Sequence, residues 1–133
     1  MYNRSGNATF ALNYHLVICV KYRKKVFTND IIIGCLKDLV LAVANSHKVE
    51  IITQECGEDH LHVLFSAKPT CNIPTFVNSL KGYTSRVLRE TFARELSQQL
   101  YGDAFWSPSY FLATAGNVSI TTLNNYINNQ RIE

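Results

Sequence analysis

The chain predicts an α+β domain: a four-stranded antiparallel sheet with two helices on one face, in the ferredoxin-like order βαββαβ, followed by one further helix. Three observations predict it. Short runs rich in Tyr, Val, Ile and Phe recur at Leu12 to Val20, Val49 to Cys56, His60 to Ala67 and Tyr110 to Ala115, as half-buried strands require. Two longer stretches, from Asp30 to about Ser46 and from about Ile73 towards Leu100, carry apolar residues at helical spacing. Only Gly57-Glu58-Asp59 separates the second strand from the third, so those two must pair as an antiparallel hairpin.

Taken in order, the first strand has Asn13, His15 and Cys19 interspersed among its apolar residues, and a basic turn, Lys21-Tyr22-Arg23-Lys24-Lys25, follows it. Thr28-Asn29-Asp30 opens the first helix, whose core positions are Ile33, Leu36, Val40 and Val43. Pro69-Thr70-Cys71-Asn72 breaks the chain after the third strand, with Asn72 as N-cap of a long helix. Phe76, Leu80, Tyr83, Val87, Leu88 and Phe92 supply its apolar positions, and Gly102-Asp103 ends it. Trp106-Ser107-Pro108 leads into the last strand, and Gly116-Asn117 turns into a final helix starting at Ser119. The third strand follows a hairpin and is expected to be central in the sheet.

With 133 residues, 47% of them hydrophobic and 17% charged, residues 1–133 make one domain that can bury a core without disulfides. Cys19, Cys35, Cys56 and Cys71 are widely spaced, which argues against a zinc ribbon and for core positions in a reducing compartment. The first residues lack the apolar block of a signal peptide, and no run approaches the roughly 20 apolar residues that span a bilayer. The expectation is a cytoplasmic protein without membrane contact. A net charge of +3 hints at an anionic partner. No phosphate-binding loop appears, so no nucleotide cofactor is expected.

The chemistry concentrates in two places. On a strand, His60 and His62 leave the same face, close enough to share a metal ion. In the final helix Tyr126 and Gln130 lie four residues apart, again on one face. A tyrosine hydroxyl can be a nucleophile and a glutamine carbonyl oxygen can bind a metal. Each feature alone has a plain structural reading: polar residues on a solvent face for the histidines, an aromatic packed on its helix for Tyr126, a surface amide for Gln130. Together they suit nucleophilic attack on a phosphodiester.

Five segments in order resemble the small single-tyrosine transposases of the HUH superfamily, which move insertion sequences as single-stranded DNA. They are Tyr14-His15-Leu16-Val17 with Lys21-Tyr22-Arg23-Lys24-Lys25-Val26-Phe27; Asp59-His60-Leu61-His62; Leu80-Lys81-Gly82-Tyr83-Thr84-Ser85-Arg86; Phe105-Trp106-Ser107-Pro108-Ser109-Tyr110-Phe111; and Tyr126-Ile127-Asn128-Asn129-Gln130. The resemblance implies that His60, His62 and Gln130 bind a divalent metal, Mg2+ or Mn2+, with DNA oxygens and water completing its shell. It implies that Tyr126 attacks the scissile phosphate, leaving a 5′-phosphotyrosine link and a free 3′-hydroxyl that later reverses the reaction. It implies a homodimer that recognises imperfect hairpins near the element ends. The chain ends three residues after Gln130, where many members continue, which leaves docking of the tyrosine helix in cis and in trans both open.

A cation on the phosphate neutralises developing charge and holds it in line. Imidazole-rich sites ordinarily favour zinc over magnesium; here the expectation follows the resemblance, with Asp59 as a further acidic contact. Lys21, Arg23 and Lys24 in the basic turn, and Lys81, Arg86 and Arg89 on the long helix, are candidate phosphate contacts, each with a solvated surface charge as its alternative. Tyr22, Tyr83 and Trp106 either stack on unpaired bases or pack. His15 and His47 have no partner in the sequence and read as structural. The rivals are an RNA-binding (RRM-like) sheet, a catalytically silent hairpin-binding module, and a metal-dependent hydrolase forming no covalent adduct.

Overall fold

Alternation of apolar and polar residues builds the sheet, and its register decides everything that the site later uses. The structure, a computed structural model, describes residues 2–3, 9–100, 102, 104–115 and 120–129. A short antiparallel ladder joins β1 (Tyr2–Asn3) to β2 (Thr9–Phe10). Then come β3 (Leu12–Cys19), a 3-10 turn at Lys21–Arg23, α1 (Asp30–Ser46), β4 (Glu50–Cys56), β5 (His60–Ala67), α2 (Ile73–Thr91), α3 (Ala93–Leu100), β6 (Phe111–Thr114) and α4 (Ile120–Asn128). The main sheet has the order β4-β5-β3-β6, antiparallel throughout. As expected, the histidine strand β5 is interior, paired on both sides.

Leu16, Ile18 and Val20 of the β3 segment and Leu61, Val63 and Phe65 of β5 point to one side. There they form the main core with Leu36 and Val40 of α1 and Phe76 and Leu80 of α2. Asn29 caps α1, its side chain accepting from Ile32 N at 2.9 Å, and Asn72 caps α2 by accepting from Thr75 N at 3.1 Å. The opposite face carries a smaller cluster: Val17 and Cys19, covered by Phe111 and by Tyr126 and Ile127 of α4. Among the described residues no helix is long and apolar enough to cross a membrane. Cys19 is buried and Cys35, Cys56 and Cys71 are half-buried against the core. Burial pushes the Cys56 thiol up to about 11, against a small opposing pull from Lys37.

Besides the β1–β2 ladder, which the reading of the sequence did not include, three details depart from that reading. The long helix is broken: Phe92, at φ −118° and ψ 41°, separates α2 from α3, and the bend lets Leu96 and Leu100 join the core. Tyr83 is 37% exposed rather than a core residue. The buried position is its neighbour Thr84, whose hydroxyl donates to Leu80 O at 2.7 Å and accepts from the Trp106 indole at 3.0 Å. Finally, β4 carries a bulge between Ile51 and Thr53. One extra residue there reverses the alternation, so that Ile51 packs on the main core while Glu55 lies opposite His62. The predicted turn at Gly116-Asn117 and helix start at Ser119 lie outside the described residues.

Candidate active site

The site lies on the sheet face away from α1 and α2. His60 and His62 alternate with buried Leu61 and Val63, so both imidazoles emerge on the far side. In register, His60 is opposite Cys19 and His62 opposite Val17. Together with Asn124 and Ile127 of α4, the two histidines border a cavity of about 560 Å³.

Each histidine has a built surrounding. His60 Nδ1 donates to Asp59 Oδ1 at 2.9 Å, and Asp59 Oδ2 accepts from Arg23 Nε at 2.7 Å. This fixes the His60 ring and leaves its Nε2 for a ligand, the usual arrangement behind a metal-bound histidine. Burial raises the Asp59 carboxyl, but hydrogen bonds from Arg23 and His60 and their charges outweigh it, so its pKa is lowered overall. Gly57 supplies room: a Cβ there would lie 2.4 Å from His60 Cε1 and 2.8 Å from its Nδ1.

His62 has partners on both sides. Its Nε2 is 2.9 Å from His15 Nδ1, one ring nitrogen donating to the other, and the two rings stack at 5.1 Å. Its Nδ1 is 3.7 Å from Glu55 Oε1. Burial holds its pKa below the ordinary value, and positive charge on His15 and His60 would add to this, while Glu55 pulls the other way. A neutral imidazole is the form that binds a metal. His15, expected to lack a partner, is therefore a correction: in the β3–β5 register it is diagonal to His62, within reach of an aromatic ring. Its signal in the sequence was parity with Val17 and Cys19 on the same strand face.

Tyr126 sits beside the cavity. Its ring meets Phe111 at 5.3 Å and packs on Val17 and Cys19, and its hydroxyl is 3.4 Å from Ser109 Oγ, long for a bond between hydroxyls. Gln130 lies outside the described residues. Among the described residues, no three His, Cys, Asp or Glu side chains converge as a metal site. His60, whose Nε2 is left open by the bond to Asp59, fits a divalent cation, and His62 joins it once a ring nitrogen is released from His15 or Glu55, with further oxygen donors completing the shell.

The basic candidates divide by surroundings. Arg23 is turned inward to Asp59 and to the carbonyl of Ile127. Lys81 Nζ donates to Ser107 O at 2.7 Å and Pro108 O at 3.3 Å, fastening the segment that leads to β6. Arg89 reaches Leu100 O at 3.5 Å, and Lys24 the carbonyl of Gln99. Lys21 lies over the Tyr22 ring and Arg86 over the Tyr83 ring, each at 5.3 Å. Both of those tyrosines are exposed. Trp106 is buried packing, only 5% exposed, and His47 meets Phe76 edge-on at 5.7 Å.

Comparison with known proteins decides what this scaffold is. The family model for the IS200-like transposases matches residues 8–130. The chain belongs to the IS200-like transposase family. Among the members it resembles is the ISDra2 transposase TnpA of Deinococcus radiodurans, 37% identical over 121 residues that cover 91% of this chain and 85% of that one. The transposase for insertion sequence element IS200 of Salmonella typhimurium is 28% identical over 117 residues, covering 88% and 75%. The crystal structure of a proposed transposase from Deinococcus radiodurans R1 superposes over 100% of both chains, with a TM-score of 0.86 and 32% identity. A REP-associated tyrosine transposase, solved bound to a REP hairpin, shares the fold at a TM-score of 0.54 and 8% identity, over 96% of this chain and 67% of that one. The family resemblance read from the five segments thus holds. As an IS200-like transposase, this chain is a DNA-processing enzyme.

Proposed function

We propose that this transposase cleaves and rejoins single-stranded DNA at the ends of an insertion sequence, with Tyr126 as nucleophile and His60, His62 and Gln130 holding Mg2+ or Mn2+. The observation that carries the reading is the pairing of His60 and His62 on one face of an interior strand, beside the helix that bears Tyr126. The Tyr126 phenol oxygen attacks phosphorus, the bond to the 3′ oxygen breaks, and a 5′-phosphotyrosine link and a 3′-hydroxyl result. The phenol gives its proton to solvent, and the departing 3′ oxygen takes one from it. A bound cation would supply charge neutralisation at the phosphate. Asp59 keeps His60 in the orientation that leaves Nε2 available, and burial disfavours the charged form of His62.

In the present seat Asn124 and Ile127 border the cavity and the Tyr126 hydroxyl is directed towards Ser109. We read this as a resting position. For attack the helix must reseat, either on its own chain or on the site of a second copy in a homodimer. Hairpin binding, seen in the REP-associated neighbour, is extended to this chain as part of the proposal.

The test uses single-stranded oligonucleotides containing the element's end hairpins, with Mg2+ or Mn2+, read on a denaturing gel. Wild type should give a protein–DNA adduct on single strands and none on duplex, and Tyr126→Phe and His62→Ala should give none. Binding without an adduct by wild type, with either metal, would replace the proposal with a silent hairpin-binding module.

A further inference from the structure

Arg23 touches both halves of the candidate site. Its Nε donates to Asp59 Oδ2 at 2.7 Å, and the other oxygen of that carboxylate accepts from His60 Nδ1 at 2.9 Å. Its Nη1 donates to the carbonyl of Ile127, in the last turn of α4. The last carbonyls of a helix lack partners within it, and a cation there is favoured. One rigid planar fork therefore links the orienting partner of His60 to the helix that carries Tyr126.

The backbone is bent to make this reach. Tyr22 and Arg23 lie at φ 60° and 55°, a left-handed region that non-glycine residues seldom occupy and that persists only where the surroundings impose it. The surroundings do so here: Val20 N donates to Asp59 O at 2.8 Å and Phe27 N to Glu58 O at 3.0 Å, clamping both flanks of the turn onto the β4–β5 hairpin.

We propose that Arg23 is a positioning residue that couples the seat of α4 to the orientation of His60. With α4 docked, the guanidinium is shared between Ile127 and Asp59. When α4 leaves, the fork is released on one side, and Asp59 and the His60 ring readjust with it. The inference rests on the roles proposed above for His60 and Tyr126, but its test uses neither DNA nor metal, so the two can fail separately.

The experiment reads the ring nitrogens of His60 by long-range 15N–1H NMR on the full chain, all variants at one fixed pH. Ile127→Asp serves to lift α4, because Ile127 packs on Val17 and Cys19. Ile127→Asp should shift the His60 Nδ1 resonance when Arg23 is present and leave it unmoved in the Arg23→Gln background. Arg23→Lys keeps a charge at Asp59 but cannot span both acceptors. It should leave His60 in place while the amides of α4 exchange about tenfold faster, the scale of a lost partly buried charge at a helix end. An equal shift with and without Arg23, or α4 exchange unchanged in Arg23→Lys, overturns the coupling. If Arg23→Gln does not fold, the Ile127→Asp shift in Arg23→Lys takes its place, and an undiminished shift there is the overturning result.

Discussion

Single atoms decide the geometry of His60. A methyl group at position 57 would approach the ring to 2.4 Å, so Gly57→Ala should drive it off its bond to Asp59. On the proposed role of His60 as a metal ligand, Mn2+ binding should weaken about 10- to 100-fold, the range for losing outer support of a ligand, with the thermal melt little changed. Titration of Mn2+ followed by EPR measures it. His62 makes a prediction in pH. Its folded pKa is lowered, so protonation favours the unfolded chain. Its stabilising contribution is therefore complete above the ordinary histidine value of about 6.5. It is lost as pH falls from there through the lowered folded value. Urea melts across that window should show stability falling less steeply in His62→Gln than in wild type, with His15, Glu55 and His60 unchanged around it.

At the scale of elements, segments distant in the sequence prove to be fastened together. Lys81 and Thr84 on α2 hold the stretch from Trp106 to Pro108 by bonds to its carbonyls and its indole. That stretch continues the sheet past the end of β3, with Val20 bridged to Trp106 and Ser107 N donating to Cys19 O at 2.8 Å. Thr84→Val keeps the shape but leaves the Trp106 N–H buried without its acceptor. It should cost about 1–3 kcal/mol, measured by urea denaturation. The α2–α3 break and the β4 bulge belong to this scale too. A helical repeat in the sequence does not register that Phe92 leaves helical geometry to bring α3 against the core. An extra strand residue is invisible until the partner strand is laid beside it.

Over the whole molecule, a net charge of +3 matters through where its cations are free to act. Arg86 and Lys21 stand over the exposed rings of Tyr83 and Tyr22, a pairing that suits unpaired bases and their phosphates. Arg86→Ala should weaken single-stranded DNA binding and reduce the slope of log affinity against log salt by about 0.7. Fluorescence anisotropy over a salt series provides the check, with Lys81→Ala expected to lower stability instead. The sheet itself divides the labour: one face is buried under α1 and α2, and the other is left for the histidines and α4.

The sequence by itself determined the order of the elements that make the βαββαβ core, the interior place of the histidine strand, the Asn72 cap and the family. Those depend on local periodicity, on turn length and on short motifs, all of which are carried by neighbouring residues. It also placed His60 and His62 on one face, because parity along a strand needs no partner. Only the tertiary structure decided that His15 meets His62, that Glu55 lies opposite it, and that Arg23 turns inward to Asp59 and α4. These depend on strand register, on one bulged residue and on two left-handed backbone positions. Each is set by contacts between segments far apart in the chain, where the free energy lies in packing and pairing and leaves no local trace.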